Sequence, residues 1–229
     1  MTQFDALFDG RSFAAILFDM DGTLLSSIEA AERVWTRWAA RFGIDARTFL
    51  YDIHGRRAVD SVRRLNIPGV DPEAEAEAIT LAEIEDVDGV HAIPGAQEFV
   101  AMLPRERWAI VTSAPRALAV RRLAAAALPT PSVFITAEDI PRGKPDPACY
   151  QLAASQLGWS ADDCLVFEDA AAGIRAGEAA GAAVVVITAT HQSPIETSHP
   201  RYADFRSLRA TLGPDPRLRI VQDAGSRNI

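Results

Sequence analysis

Residues 14–18 are a short run of apolar positions that stops abruptly at Asp19-Met20-Asp21-Gly22-Thr23. An apolar run without polar alternation suits a strand buried on both faces, and a sudden polar end is how such a strand opens into a functional loop. The pattern returns at 108–112, 133–136, 164–168 and 183–187, with helical stretches at 115–127, 147–158 and 171–181 between. Strands alternating with helices predict an α/β fold, a Rossmann-like doubly wound parallel sheet. Sheets of this kind bind ligands at the carboxyl ends of their strands.

Residues 27–92 break the alternation, being helical and polar with no convincing strand. They predict a small α-helical cap domain inserted between the first and second core strands. The expected organisation is a core of 1–26 and 93–212, a cap of 27–92 and a loosely ordered tail of 213–229. Ala31, Val34, Trp35, Trp38 and Phe42 fall at helical spacing and read as the cap's own core. The Glu-rich segment 73–85 reads as a solvated helix face rather than a metal cluster.

At 229 residues and 48% apolar composition, the chain suffices for one sizeable core and a small second unit. The net charge of −8 is spread along the length. It argues against nucleic acid or an anionic membrane as partner, and it means that a small anionic substrate needs local positive charge. Two cysteines without CxxC spacing point to reduced thiols, and the amino-terminal residues carry neither a secretory signal nor a membrane span. A cytoplasmic, monomeric protein is the expectation.

The chemistry collects at the strand ends. Asp19 and Asp21 stand two apart after the first core strand, where Gly22 permits a bend that aims both carboxylates at one point. Oxygen ligands in so few protein positions suit Mg2+, which keeps several waters and also binds a substrate phosphate. Asp169, beside Glu168, supplies a carboxylate from a second strand end. Alone, an Asp-x-Asp is weak evidence, because acidic turns are common. Thr112 and Ser113 end another strand just before a Pro-started helix, where hydroxyls and free N–H groups hold phosphate. Lys144 lies in the stiff segment Gly-Lys-Pro-Asp-Pro, which fixes where its ammonium points.

Taken in order, FDMDGTLL, IVTSA, RGKPDP and VFEDAAAGIRAGEAAG closely resemble the motif set of the haloacid dehalogenase superfamily. The resemblance runs from about residue 14 to 208, and the helical insertion matches the family's cap after the first motif. FITAEDIPRGKPDPACY and the cap segment DIHGRR look most like bacterial sugar phosphatases and the related glycerol-phosphate and 2-deoxyglucose-6-phosphate phosphatases. The resemblance implies Asp19 as nucleophile, Asp21 as general acid and then base, and Thr112, Ser113 and Lys144 as stabilisers of the transferring phosphoryl group. It also implies Mg2+ held by Asp19, the Asp21 carbonyl and Asp169, with Glu168 as ligand or supporting partner. The implied activity is hydrolysis of a small sugar or polyol phosphate through an aspartyl-phosphate.

Asp21 argues against the dehalogenase branch, whose departing halide needs no proton. The absence of any lysine from 27–92 argues against the phosphonate-cleaving branch. A β-phosphoglucomutase-like isomerase carries a histidine where this chain has Ala31 and an arginine where it has Ala58, although Arg56 and Arg57 are placed to bind a second phosphate. An inactive phosphate-binding protein is the remaining alternative, and the complete set of motif residues opposes it. Substrate choice falls to the cap, with Glu32, His54, Arg56 and the core-side Arg116 as candidate specificity residues, and hinges are expected near Ser26 and Ile93.

Overall fold

The computed structural model describes residues 4–191, 195–213, 215 and 217–223. A short strand β1 (Phe4–Ala6) precedes β2 (Ala15–Phe18), whose four residues are all buried, as the unbroken apolar run predicts. Strand β3 (Leu25–Ser26) leads into helices α1 (Ile28–Ala40), α2 (Leu50–Ile53), α3 (Ala58–Leu65) and α4 (Pro72–Glu85), and β4 (His91–Ala92) returns. The chain then alternates through α5 (Ala96–Ala101), β5 (Trp108–Val111), α6 (Arg116–Ala125), β6 (Val133–Ile135), α7 (Ala148–Gln156), β7 (Cys164–Glu168), α8 (Ala171–Ala179) and β8 (Ala183–Ile187). Three strands close it: β9 (Arg201–Tyr202), β10 (Leu208–Leu212) and β11 (Leu218–Asp223).

Among the described residues, six strands form one parallel sheet in the order β6-β5-β2-β7-β8-β9. The topology places β2 at the centre. Phe18 pairs with Ile110 on one side and Phe167 on the other, so the next residues, Asp19, Val111 and Glu168, emerge side by side at the carboxyl edge. Side chains alternate across the sheet: Ile16 and Phe18 join one hydrophobic cluster, Ala15 and Leu17 the opposite one. Phe18 stacks on Phe167 with centroids 5.3 Å apart and meets Phe99 and Phe205 at 6.1 and 6.2 Å, an aromatic floor beneath the carboxyl edge.

The helices between β3 and β4 pack on a hydrophobic cluster of their own, containing Ala31, Val34, Trp35 and Trp38, with Phe42 against it. Trp35 and Trp38 meet edge to face at 5.5 Å. Asp71 caps α4 by accepting from the backbone N–H groups of Glu73 and Ala74, with Pro72 in the first turn. Where no strand was expected, β4 pairs antiparallel with β3, and Ile93 N–H donates to the Leu24 carbonyl at 2.9 Å. The segments entering and leaving the helical insertion therefore run as one narrow ribbon.

Two expectations are corrected. The described part of the tail beyond residue 212 holds a strand: β11 is the middle strand of a second, antiparallel sheet in the order β1-β11-β10. Its inward residues Leu218 and Ile220 are 1% exposed, and the intervening Arg219 disguises that period-two burial in the sequence. Residues 214, 216 and 224–229 of the predicted tail, like 1–3 of the predicted core, lie outside the described residues. Nor is the Glu-rich helix wholly solvated, since Glu83 is buried beside Ile79. Among the described residues no helix is long and apolar enough to cross a membrane.

Candidate active site

Asp19 leaves β2 with its backbone N–H bonded to the Phe167 carbonyl, and its side chain is buried. Lys144, the sole lysine of the chain, donates to Asp19 Oδ1 at 2.5 Å, to Glu168 Oε1 at 2.7 Å and to the Val111 carbonyl at 3.2 Å. Its ammonium is thereby tied to all three central strands. Tyr150 from α7 donates to the same Glu168 Oε1 at 3.1 Å, while Glu168 Oε2 accepts from the backbone N–H groups of Asp169 and Ala170. Both Glu168 oxygens are thus engaged by the protein.

Two glycines make room for these carboxylates. At Gly22, with φ +92°, a Cβ would sit 2.0 Å from Asp169 Oδ2, and at Gly173 one would sit 1.4 Å from Glu168 Oε1. Asp169 is steadied by Thr23, whose hydroxyl donates to Oδ1 at 3.3 Å, and His191 Nε2 lies 2.9 Å from the Asp169 carbonyl.

Burial pushes the Asp19 carboxyl up to about 7; Lys144 pulls it back, and Glu168 and Asp21 push it further. Asp169 is raised well above its ordinary value by burial and then by Glu168 and Asp19. Burial opposes the charge on Lys144, but Asp19 and Glu168 outweigh it and hold the ammonium well above its usual range. Three buried carboxylates against the one Lys144 ammonium leave negative charge that a cation would balance. Carboxylate oxygens of Asp19, Glu168 and Asp169 lie within 4.8 Å of one another, and Asp19 Oδ2 is buried with no hydrogen-bond partner among the described residues. An all-oxygen donor set with an orphaned carboxylate oxygen fits a hard divalent cation such as Mg2+.

Asp21 stands at the rim. Its Oδ1 accepts from Ser27 Oγ at 2.6 Å and from Arg122 Nη1 at 3.0 Å. Thr112 is buried at the end of β5 and accepts from Ala114 N–H at 3.0 Å, and Ser113 Oγ donates to the carbonyl of Gly55 at 3.1 Å, so the helical insertion touches this strand end. Arg57 adds a second contact, donating to the Pro141 carbonyl at 3.3 Å. His54 Nε2 lies 3.9 Å from Glu32 Oε1. Burial lowers the imidazole from its ordinary value, with Glu32 and Asp21 pulling the other way and Arg122 adding to the fall. His54 therefore feels the charges of both Glu32 and Asp21. The Arg56 backbone N–H donates to the Ile53 carbonyl at 3.3 Å, and its side chain has no hydrogen bond or ion pair among the described residues.

Arg116 is not brought to the cluster. Its guanidinium donates to Asp139 at 2.8 Å and to the Phe134 carbonyl at 2.9 Å, and lies over the Phe134 ring. The residues missed in the sequence are Tyr150, Ser27, Arg122 and Glu83. For the last two a signal existed: each is a charge on an apolar helix stripe, Leu118-Ala119-Arg122-Leu123 on α6 and Ala76-Ile79-Glu83 on α4.

A family profile for haloacid dehalogenase-like hydrolases matches residues 13–181, spanning β2 to the end of α8 and every strand-end residue above. The chain belongs to that family. Among haloacid dehalogenase-like relatives, hexitol phosphatase A of Escherichia coli is 41% identical over 182 residues, covering 78% of this chain and 84% of the relative. The 2-deoxyglucose-6-phosphate phosphatase 1 of Saccharomyces cerevisiae is 34% identical over 201 residues, covering 78% and 81%. In structure, this haloacid dehalogenase-like chain is similar to a hydrolase from Pseudomonas syringae, with a TM-score of 0.68 at 26% identity, covering 79% of this chain and 87% of that one.

Proposed function

We propose that this chain is a Mg2+-dependent phosphatase that hydrolyses small sugar or polyol phosphates through an aspartyl-phosphate on Asp19. The observation that carries the reading is the state of Asp19, a buried strand-end carboxylate with one oxygen held by Lys144 and the other without a partner. Its similarity to a hexitol phosphatase and a 2-deoxyglucose-6-phosphate phosphatase supports the substrate class.

Asp19, Asp169 and the Asp21 backbone carbonyl would hold Mg2+, which when bound neutralises charge on the carboxylates and on the substrate phosphate. Glu168, with both oxygens committed, orients Lys144 instead. The Asp19 carboxylate attacks phosphorus and the P–O bond to the sugar breaks, while Asp21 gives its proton to the leaving alkoxide. A water then attacks the phosphorus, its proton passes to Asp21, and the P–O bond to Asp19 breaks to release inorganic phosphate. Lys144, Thr112 and the Ser113 N–H offer positive charge and donors to the transferring group. Glu32 and His54 are assigned to the hydroxyls of the substrate, Arg56 to an anionic or hydroxyl group, and the insertion of 27–92 acts as a cap hinged at the β3–β4 ribbon. Arg116 is left out, its guanidinium being committed to Asp139.

Phosphate release with Mg2+ from hexose, hexitol, glycerol and 2-deoxyhexose phosphates is expected in the wild type and is expected to be lost in Asp19→Asn. No release from any of them, with glucose 1-phosphate instead converted to glucose 6-phosphate, would replace this reading by a mutase. The Arg56 side chain, without a partner among the described residues, is the observation that would favour that outcome.

A further inference from the structure

Arg122 is buried, with 7% of its side chain exposed, and its two terminal nitrogens face different parts of the molecule. Nη1 donates to Asp21 Oδ1 at 3.0 Å in the core, and Nη2 lies 3.2 Å from Glu83 Oε1 on α4 of the helical insertion. Glu83 is as deeply buried as Arg122, and α4 packs directly on α6. Burying such a triad brings no clear gain in stability over well-packed apolar side chains of the same size. Two buried charges on the apolar stripes of facing helices therefore call for another explanation, and the atom they converge on supplies one. Asp21 Oδ1 is filled from two directions, by Arg122 and by Ser27 Oγ at 2.6 Å, whereas Oδ2 has no partner among the described residues.

We propose that Arg122 is a positioning residue for the reaction: anchored by Glu83 in the cap, it holds Oδ1 and reserves Oδ2 of Asp21 for proton exchange with the leaving alcohol and the attacking water. This rests on the reading of Asp21 as acid and base given above. The consequence is that Asp21 is correctly turned only while α4 lies against α6. Proton transfer is thereby tied to a docked cap, and a sugar phosphate bound under an undocked cap meets a misaligned acid.

The test compares Arg122→Met, Glu83→Gln and Asp21→Asn with wild type on a hexitol phosphate and on p-nitrophenyl phosphate, whose leaving group departs without a proton. Steady-state kcat and KM are read with the first-turnover rate of phenol release. Arg122→Met is expected to lower kcat for the hexitol phosphate by about 10²-fold with little change in KM. Its first turnover on p-nitrophenyl phosphate is expected to stay within about threefold of wild type, followed by slow steady-state release as the aspartyl-phosphate waits for its base. Glu83→Gln is expected to show the same split in smaller degree, and it decides alone if Arg122→Met does not fold. Equal losses on both substrates in the first turnover, or an unchanged kcat on the hexitol phosphate, would overturn the proposal. If Asp21→Asn is itself fully active, the underlying reading of Asp21 falls, and this proposal with it. If Asp21→Asn is inactive while Arg122→Met and Glu83→Gln are unimpaired, only the role of Arg122 falls.

Discussion

Burial pushes the Asp19 carboxyl up to about 7 from the 3.8 of a free aspartate. Between those two values the folded chain binds more protons at this group than the unfolded chain does. The metal-free protein therefore loses stability as pH rises through that window and does not recover it above. Asp169, pushed the same way by burial, adds a loss of the same sign. On the proposed reading, a divalent cation would take the place of these protons. Mg2+ is therefore expected to raise the unfolding temperature hardly at all at about pH 5 and by about 5 °C at about pH 8, as read by calorimetry with and without the ion. Equal shifts at both pH values would contradict the assignment of the cluster as a cation site. Asp19→Asn is expected to flatten the pH dependence of the metal-free protein, because the replacement is neutral throughout.

Strand β2 shows how an element serves the site. Its residues are fully buried, and Phe18 packs against Phe99, Phe167 and Phe205 directly below Asp19. Phe18→Ala is expected to destabilise the fold by about 3–5 kcal/mol in denaturant titration, with activity lost in proportion to unfolding. Such strands were legible in the sequence because double-sided burial leaves an unbroken apolar run, and the clustered Asp19 and Asp169 were legible because each run stops at a charged residue. What stayed hidden depends on packing between distant segments. Tyr150 reads as one more apolar residue of α7 until its hydroxyl is found on Glu168. Arg122 and Glu83 look like ordinary helix charges until α4 meets α6, and β11 looks like polar tail until β1 and β10 flank it. Arg116 went the other way: it was a core-side candidate for substrate choice, but Asp139 and the Phe134 carbonyl hold it.

On the scale of the whole molecule, the described residues of helical insertion and core meet through five side-chain polar contacts: Gly55 with Ser113, Arg57 with Pro141, Ile84 with Arg121, Ser27 with Asp21, and Glu83 with Arg122. Contacts that few can be broken and remade with each substrate. Bound phosphate with Mg2+ is expected to slow amide hydrogen exchange in residues 54–57 and 141–144 while leaving the strands of the parallel sheet unchanged. Uniform protection, or none in those two segments, would argue against a cap that closes on its ligand. The cations distributed along the rest of the chain are all arginines, so Lys144 carries its one side-chain amine. Reductive methylation with an isotope-labelled aldehyde would thus install a single side-chain magnetic-resonance reporter, and it would lie between Asp19 and Glu168. The rate at which that label enters would record how often Lys144 is at once bared to solvent and free of its proton.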